Sequence, residues 1–541
     1  MNNADLIVAM LRDAGISHGF GIPSGNVLPL IEAMRKGGIE FVLTAHEGSA
    51  GFSADVTGRL TGRPGLCIAT LGPGATNLTT GVGDAFLDRS PMIAITCNLN
   101  TDQLGRRLQM YIDHHALFAP ITKASLPLRH GAIAATVNEA IRIALSEPVG
   151  PVHLDLPEDV ALAAASEVAG GVAGGDALTP ARPLAPPLAT DAAIEAAARI
   201  IGDAGRPIAV IGASAMRMGK LGALQAFVEK HRLPFATTTM AKGLIDEDHP
   251  LALGCIERAC RQVMRRFLRR ADLIIGLGYD TIEIEYEAWI GETALLQIDI
   301  EPVDTDGSVR IKGEVTGALA DSVARLAALE PVANQWTGAE IERHRRDFQQ
   351  SLRPAAAGFT PHQAIDAVRN VLPRDGILSF DVGAHTHQIA SQWTAHAPGT
   401  FLITNGWSSM GFGIPAAIAA KIARPDVPVV CLLGDGCFQM TCGEMATANR
   451  LGLTLPVVVL DDARLSLIQV KQQRRQFGEY GTALQSDSYI EPPAHYFGVP
   501  AVGVTDASAL EDAVAAALGA DGPTVIEAAI DPAHYMETVF D

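Results

Sequence analysis

The sequence predicts an α/β protein of three domains, each a doubly wound parallel sheet. Two observations carry that expectation. Short apolar runs of strand length recur along the chain, each followed by a Gly-rich or polar turn and then a helical stretch, the alternation from which parallel sheets are built. Length is the second observation: 541 residues exceed one ordinary core and suggest about three domains.

The opening stretch, MNNADLIVAMLRDAG, sets Asp5 and Asp13 among apolar residues. It reads as an amphipathic helix ending at Gly15 rather than as a signal peptide. EFVLTA, GLCIATL, PMIAIT and PVHLDLP are the strands expected in a first domain, residues 1–165. Residues 166–190 are rich in Ala, Gly and Pro, offer no material for a core, and are expected to be a linker. RPIAVIG, PFATTT, DLIIGLG and ALLQIDI are the strands of a central α/β domain, 191–335. The polar stretch 336–358 is expected to hold a helix and a second linker. GILSFD, TFLITN, VPVVCLLGD, LPVVVLDD and PTVIEAAI then build a third domain, 359–541.

Composition removes several classes of function. A net charge of −19 argues against a nucleic-acid partner, which calls for a basic stripe. Residues 382–420 contain no Asp, Glu, Lys or Arg, but His, Gln, Asn and Ser interrupt them, so no membrane span is expected. The seven cysteines include no CxxC and no pairing with histidines that suits zinc. They read as reduced thiols in a cytoplasmic protein.

The most informative stretch is LLGDGCFQMTCGEMATANRLGLTLPVVVLDDARLSLI, residues 432–468. Asp435 sits between Gly434 and Gly436 after an apolar run, and Asp461 and Asp462 end the next run. Strands of an open parallel sheet bring their C-terminal ends to the ligand crevice. With CGEMATANRLG as the crossover helix, the two strands are neighbours and Asp435 and Asp462 share one edge. Oxygen ligands beside glycines that admit a phosphate point to Mg²⁺ carrying a diphosphate. For G-D-G alone, a helix-capping aspartate is the plainer reading; the second acidic point, 27 residues on, reverses that balance.

This pattern resembles the signature of thiamine-diphosphate-dependent enzymes of the acetolactate synthase, pyruvate oxidase and 2-oxoacid decarboxylase family. The resemblance implies the domain order pyrimidine-binding, central, diphosphate-binding. It implies that the side chains of Asp435 and Asp462 and the Arg464 carbonyl hold Mg²⁺, with Gly434, Gly436 and Cys437 beside them. The family usually has Asn where this chain has Asp462, so the site carries one extra negative charge. The family also places a glutamate after the second strand of the first domain, and Glu47 in TAHEGSAGF fits. Its carboxyl is expected to hydrogen-bond a pyrimidine ring nitrogen in a dry pocket; alone, it reads as a glutamate favoured at a helix N-terminus.

In TLGPGATN, Pro73 and Asn77 are expected against the cofactor, although such glycine-rich turns serve any doubly wound domain. Gly383, Ala384 and His385 resemble the segment around the diphosphate oxygens. In NGWSSMGFGIPAA, Met410 corresponds to the apolar wedge under the two rings and the Ser408 carbonyl to an acceptor for the pyrimidine amine. A methionine in such sequence is otherwise plain core.

ADLIIGLGYDTIEIEYEAWIGETALLQIDIEP is similar to flavin-independent acetolactate synthases, so no bound FAD is expected. Aligned on Asp113 of RRLQMYIDHHALFAPITKAS, the synthases' customary Gln falls on Met110, with Gln109 one place before it. His114 and His115 resemble the His pair of 2-oxoacid decarboxylases and are candidates for moving protons; a His pair on a surface loop is the alternative. Lys471, Arg474 and Arg475 are placed to attract an anionic substrate.

The resemblance thus implies decarboxylation of a 2-oxoacid, pyruvate in the simplest case, followed by carboligation. Simple decarboxylation, 2-hydroxyacyl-CoA cleavage and a cofactor-binding relative without turnover remain as alternatives. In the family Glu47 and Asp435 of one site come from different subunits, which implies a homo-oligomer, a dimer at least and commonly a tetramer.

Overall fold

The computed structural model describes residues 1–166, 182–284, 289–305, 307–485 and 491–539. Most of the expected linker 166–190 lies outside these. Three parallel-sheet α/β domains are present. The first sheet contains β1 His18–Gly21, β2 Glu40–Leu43, β3 Gly65–Thr70, β4 Met92–Asn98, β5 Ala124–Pro127 and β6 Pro151–Pro157. Their spatial order is β2-β1-β3-β4-β6-β5. The second contains β7 Pro207–Ile211, β8 Phe235–Thr237, β9 Ala252–Cys255, β10 Leu273–Leu277, β11 Ala294–Asp299 and β12 Ile311–Thr316, in the order β12-β11-β10-β7-β8-β9. The third contains β13 Ile377–Phe380, β14 Phe401–Leu402, β15 Val429–Gly434, β16 Leu455–Asp461, β17 His495–Tyr496, β18 Val499–Val504 and β19 Pro523–Ala529. Its order is β14-β13-β15-β16-β19-β18-β17, with β17 antiparallel to β18.

The apolar runs read as strands are strands, and most of them are buried along nearly their whole length. β4, β6 and β16 are buried along their whole length, the pattern of a parallel strand inside an α/β layer. β1, β5, β9, β12, β17 and β18 carry no such run. β12 (IKGEVT) and β18 (VPAVGV) leave most positions partly or fully exposed, and β1 (HGFG) is half glycine. The polar stretch after the second sheet holds the helix Gly338–Ser351, begun by a Thr337–Glu340 capping box.

By packing, the chain forms two compact units. The first is Met1–Ala185 with Gly406–Asp426 and Thr441–Leu453; the second is Pro186–Asn405 with Val427–Met440 and Thr454–Asp541. In the first unit the helices Glu47–Thr61 and Pro73–Leu87 pack together, and the helix Gly413–Ala423 packs on Glu47–Thr61. Among the described residues no helix is long and apolar enough to cross a membrane.

Candidate active site

In the second unit the site is built where β15 and β16 end. The two strands pair in parallel with Gly434 opposite Leu460, so Asp435 and Asp461 leave the sheet level with each other and Asp462 follows one residue on. Two short helices, Asp435–Thr441 and Glu444–Arg450, make the crossover where one was expected, and Asp435 opens the first of them. Its Oδ1 accepts from the Gly436 N–H at 2.7 Å. Its Oδ2 is buried and has no hydrogen-bond partner among the described residues. Burial, then the charges of Asp462 and Asp461, push the Asp435 carboxyl well above the ordinary carboxylate range.

Asp462 is raised in the same direction, chiefly by burial. It accepts from the Ser466 hydroxyl at 2.6 Å and from the Arg464 N–H at 3.2 Å. The Arg464 carbonyl accepts from the Ser466 N–H at 3.0 Å and keeps a second lone pair. Asp461 accepts from the Ala463 N–H at 2.9 Å and the Gln485 amide at 3.3 Å. Three neighbouring carboxylates with an orphaned inner oxygen fit a hard dication.

The anion side adjoins the same strand end. Gly383 caps the helix Ala384–Gln392, and the His385 imidazole fills the space beside it. A Cβ on Gly383 would stand 2.5 Å from His385 Cε1, and one on Gly434 2.8 Å from the same atom. A side chain at either position would displace the His385 ring. His385 Nε2 is buried without a partner among the described residues, and burial, then His387, lowers its pKa to about 4. An unpaired acceptor on Asp435 and an unpaired imidazole nitrogen thus flank Gly434, which suits a metal–diphosphate pair. The Cys437 thiol donates to the Val382 carbonyl at 3.0 Å and ties the two segments together.

Tyr535, which sequence reasoning missed, is buried against Ala384 and Val470. Its hydroxyl is pushed well up by burial and then by Asp462 and Asp435. It has no local signal, lying far along the chain in the short helix Tyr535–Thr538.

In the first unit Glu47 begins the helix Glu47–Thr61 after β2 and is 9% exposed. The Asn77 amide donates to Glu47 Oε2 at 3.1 Å. A helix crossing explains the pairing. A Cβ on Gly81 would lie 2.5 Å from Gly51 Cα, and one on Gly51 2.7 Å from Gly81 Cα, so the backbones touch there. Glu47 and Asn77 each stand about one turn before that contact. Pro73 starts the second helix and is exposed, as is Asn77. Glu444, also missed, is buried and accepts from the Ala45 N–H at 2.9 Å and the Thr447 hydroxyl at 2.8 Å, fixing the approach to Glu47.

The loop carrying Ser408 and Met410 belongs to this unit. Asp88 accepts from the Gly406 N–H at 2.6 Å, and Phe412 meets Phe52 edge-on at 5.6 Å between ring centroids. Ser408 is exposed with φ +50, and Met410 is half-buried. The structure thus gathers Glu47, Asn77, Pro73, Ser408 and Met410 in one unit, and Asp435, Asp462, Arg464, Gly383, Ala384, His385, Gly434, Gly436 and Cys437 in the other.

Gln109 and Met110 are exposed, and the Met110 carbonyl closes over Gly72. His114 is buried, 2% exposed, where a surface His pair was the alternative; His115 is half-buried.

Three family models match the chain. They are the thiamine pyrophosphate enzyme N-terminal TPP binding domain over residues 1–117, its central domain over 194–326, and its C-terminal TPP binding domain over 381–528. Among curated relatives, the acetolactate synthase isozyme 2 large subunit of Escherichia coli K12 is 30% identical, over 98% of this chain and 96% of its own length. The probable acetolactate synthase large subunit of Methanocaldococcus jannaschii is 29% identical over 100% and 93%. The acetolactate synthase large subunit of Corynebacterium glutamicum is 30% identical over 97% and 86%.

Proposed function

Since the chain belongs to the thiamine pyrophosphate enzyme family and is a thiamine-diphosphate-dependent enzyme of the acetolactate synthase type, we propose that it decarboxylates one 2-oxoacid and ligates the retained acyl unit to a second. Pyruvate is the proposed donor and Mg²⁺ the proposed metal. The observation that carries this reading is the pair of unpartnered buried atoms, Asp435 Oδ2 and His385 Nε2, on either side of Gly434.

Asp435, Asp462 and the Arg464 carbonyl would hold the metal through hard oxygens. The first N–H groups of the helix Ala384–Gln392 would face the diphosphate, with Gly434, Gly436 and Cys437 beside it. Bound thiamine diphosphate supplies an electron sink for the carbanion left when carbon dioxide departs. Glu47 would exchange a proton with the pyrimidine nitrogen through its carboxyl, steered by Asn77, while Pro73, Met410 and the Ser408 carbonyl shape the ring site.

Ligation of two pyruvate anions consumes one proton and releases one carbon dioxide, giving 2-hydroxy-2-methyl-3-oxobutanoate. Gln109, His114 and His115 are proposed on the substrate side, and Lys471, Arg474 and Arg475 as its electrostatic approach. The domain limits 1–165, 191–335 and 359–541, a homodimer or tetramer, a cytoplasmic location and the lack of FAD belong to the same proposal.

Proton NMR of the purified protein with pyruvate, thiamine diphosphate and Mg²⁺ tests it. Acetolactate, or acetoin from its decay, supports carboligation. Acetaldehyde alone moves the assignment to a simple decarboxylase, and unchanged pyruvate refutes pyruvate as donor.

A further inference from the structure

Five side chains of the first unit form one hydrogen-bonded line. His115 Nδ1 lies 2.7 Å from Ser125 Oγ, which lies 2.7 Å from His153 Nδ1. His153 Nε2 lies 2.7 Å from Thr96 Oγ1, which lies 2.8 Å from His114 Nδ1. His114 Nε2 then accepts from the Gly72 N–H at 3.4 Å. Strand register assembles the line, with Ser125 opposite His153 across β5 and β6 and Thr96 opposite Asp155 across β4 and β6.

The Gly72 end sets the direction of the bonds; the Asn98 amide, 3.5 Å from His114 Nδ1, gives its hydrogens to Asp155 at 3.0 and 3.2 Å instead. A backbone N–H only donates, so His114 Nε2 carries a lone pair and the neutral ring keeps its proton on Nδ1. That proton goes to Thr96 Oγ1, which leaves the threonine hydroxyl hydrogen for His153 Nε2. His153 therefore donates from Nδ1 to Ser125, and Ser125 donates to His115 Nδ1, so His115 is protonated at Nε2.

The Asp155 carboxylate faces the same two nitrogens at longer range. Its Oδ1 lies 3.4 Å from His114 Nδ1 and its Oδ2 3.7 Å from His115 Nε2, the two nitrogens that the line leaves protonated. Asn98 holds that carboxylate through its amide at 3.0 and 3.2 Å. Phe118 stacks on His153 at 4.2 Å. Burial, then His114 and His115, holds the His153 pKa well below its ordinary value.

His115 and His114 both line a cavity of about 430 Å³, with Asn98, Tyr111, Arg129 and Asp155, but His115 is half-buried and His114 buried. Gly72 has φ +61, and a Cβ there would stand 2.4 Å from the Met110 carbonyl oxygen. The turn is therefore pinned between that carbonyl and His114, directly before Pro73.

We infer that Thr96, Ser125 and His153 are positioning residues that fix the tautomer of His114, and through it hold the Gly72–Pro73 turn that sets Asn77 against Glu47. The part concerning cofactor rests on reading that corner as the pyrimidine end of the site. His114 acts here as an acceptor for the backbone, with both ring nitrogens engaged.

Thr96→Val keeps the shape of the side chain and removes the hydroxyl; Thr96→Ser keeps the hydroxyl and removes the methyl. Hydrogen–deuterium exchange of the full chain without cofactor, followed in peptides spanning Gly72, is paired with calorimetric titration by thiamine diphosphate and Mg²⁺. In T96V the Gly72 amide is expected to exchange about two- to tenfold faster and cofactor binding to weaken by a similar factor, the value of one hydrogen bond. T96S is expected to match the wild type. The opposite order, Ser worse than Val, indicates packing and overturns the inference. Ser125→Ala, nearer the cavity, is expected to shift exchange in the same direction and carries the test if T96V does not fold. Unchanged exchange in both variants overturns the inference. Faster exchange with unaltered cofactor binding upholds the turn lock and refutes the assignment of the corner to the cofactor.

Discussion

Replacing Asp435 by Asn is expected to stabilise the cofactor-free protein and to remove the stabilisation that the cofactor gives. Without cofactor, wild-type Asp435 keeps a buried oxygen unpaired beside two further carboxylates. Such an unmet acceptor costs about 1–3 kcal/mol. Asn has the same shape and offers an amide donor to Asp461 or Asp462 at every pH. The cofactor-free variant should therefore melt roughly 2–6 °C above the wild type, at about 2 °C per kcal/mol for a large unit. With thiamine diphosphate and Mg²⁺ at about one hundred times the dissociation constant, the wild type gains about 2.7 kcal/mol, and the variant, lacking the charged ligand, loses that gain. Differential scanning fluorimetry of both proteins, with and without the two ligands, reads all four melting temperatures. A cofactor-free D435N protein that melts below the wild type and still shows the full ligand shift would refute the reasoning.

Gly81→Ala forces a methyl to 2.5 Å from the Gly51 backbone; overpacking of about 1–3 kcal/mol should appear as a lower urea midpoint, together with weaker thiamine diphosphate binding as Asn77 leaves Glu47. Glu47→Gln should abolish acetolactate formation by NMR while the cofactor-induced melting shift persists, because the residues proposed for the metal and diphosphate are others. His344, buried between Phe267 and Phe348, has its pKa lowered to about 4, first by burial. The unfolded histidine, near 6.5, binds its proton first, so stability is lost as the pH falls from about 6.5 toward 4, by up to about 3 kcal/mol. Urea midpoints across that range should fall less steeply in His344→Gln, and an unchanged slope would show that His344 is not the group responsible.

The placement of much of the candidate site was legible because its residues cluster in short stretches that a strand end fixes in space. Asp435, Asp461 and Asp462 follow apolar runs buried on both faces, and adjacent strands brought them level. Glu47 follows β2 by a few residues for the same reason. The strands without an apolar run were illegible because they sit at sheet edges or carry glycine, where burial does not impose a pattern.

What the sequence by itself determined is therefore the three-layer alternation and the residues that local geometry delivers to strand ends. Tertiary structure alone decided the contacts that join distant segments. Glu444 meets Ala45 from 399 residues away, and Tyr535 reaches Ala384 through a short terminal helix. Thr96, Ser125 and His153 become a line only once β4, β5 and β6 adopt their register. Hydrogen bonds between such residues depend on distances of a few tenths of an ångström, and those distances are set by how the layers pack, which no local pattern encodes.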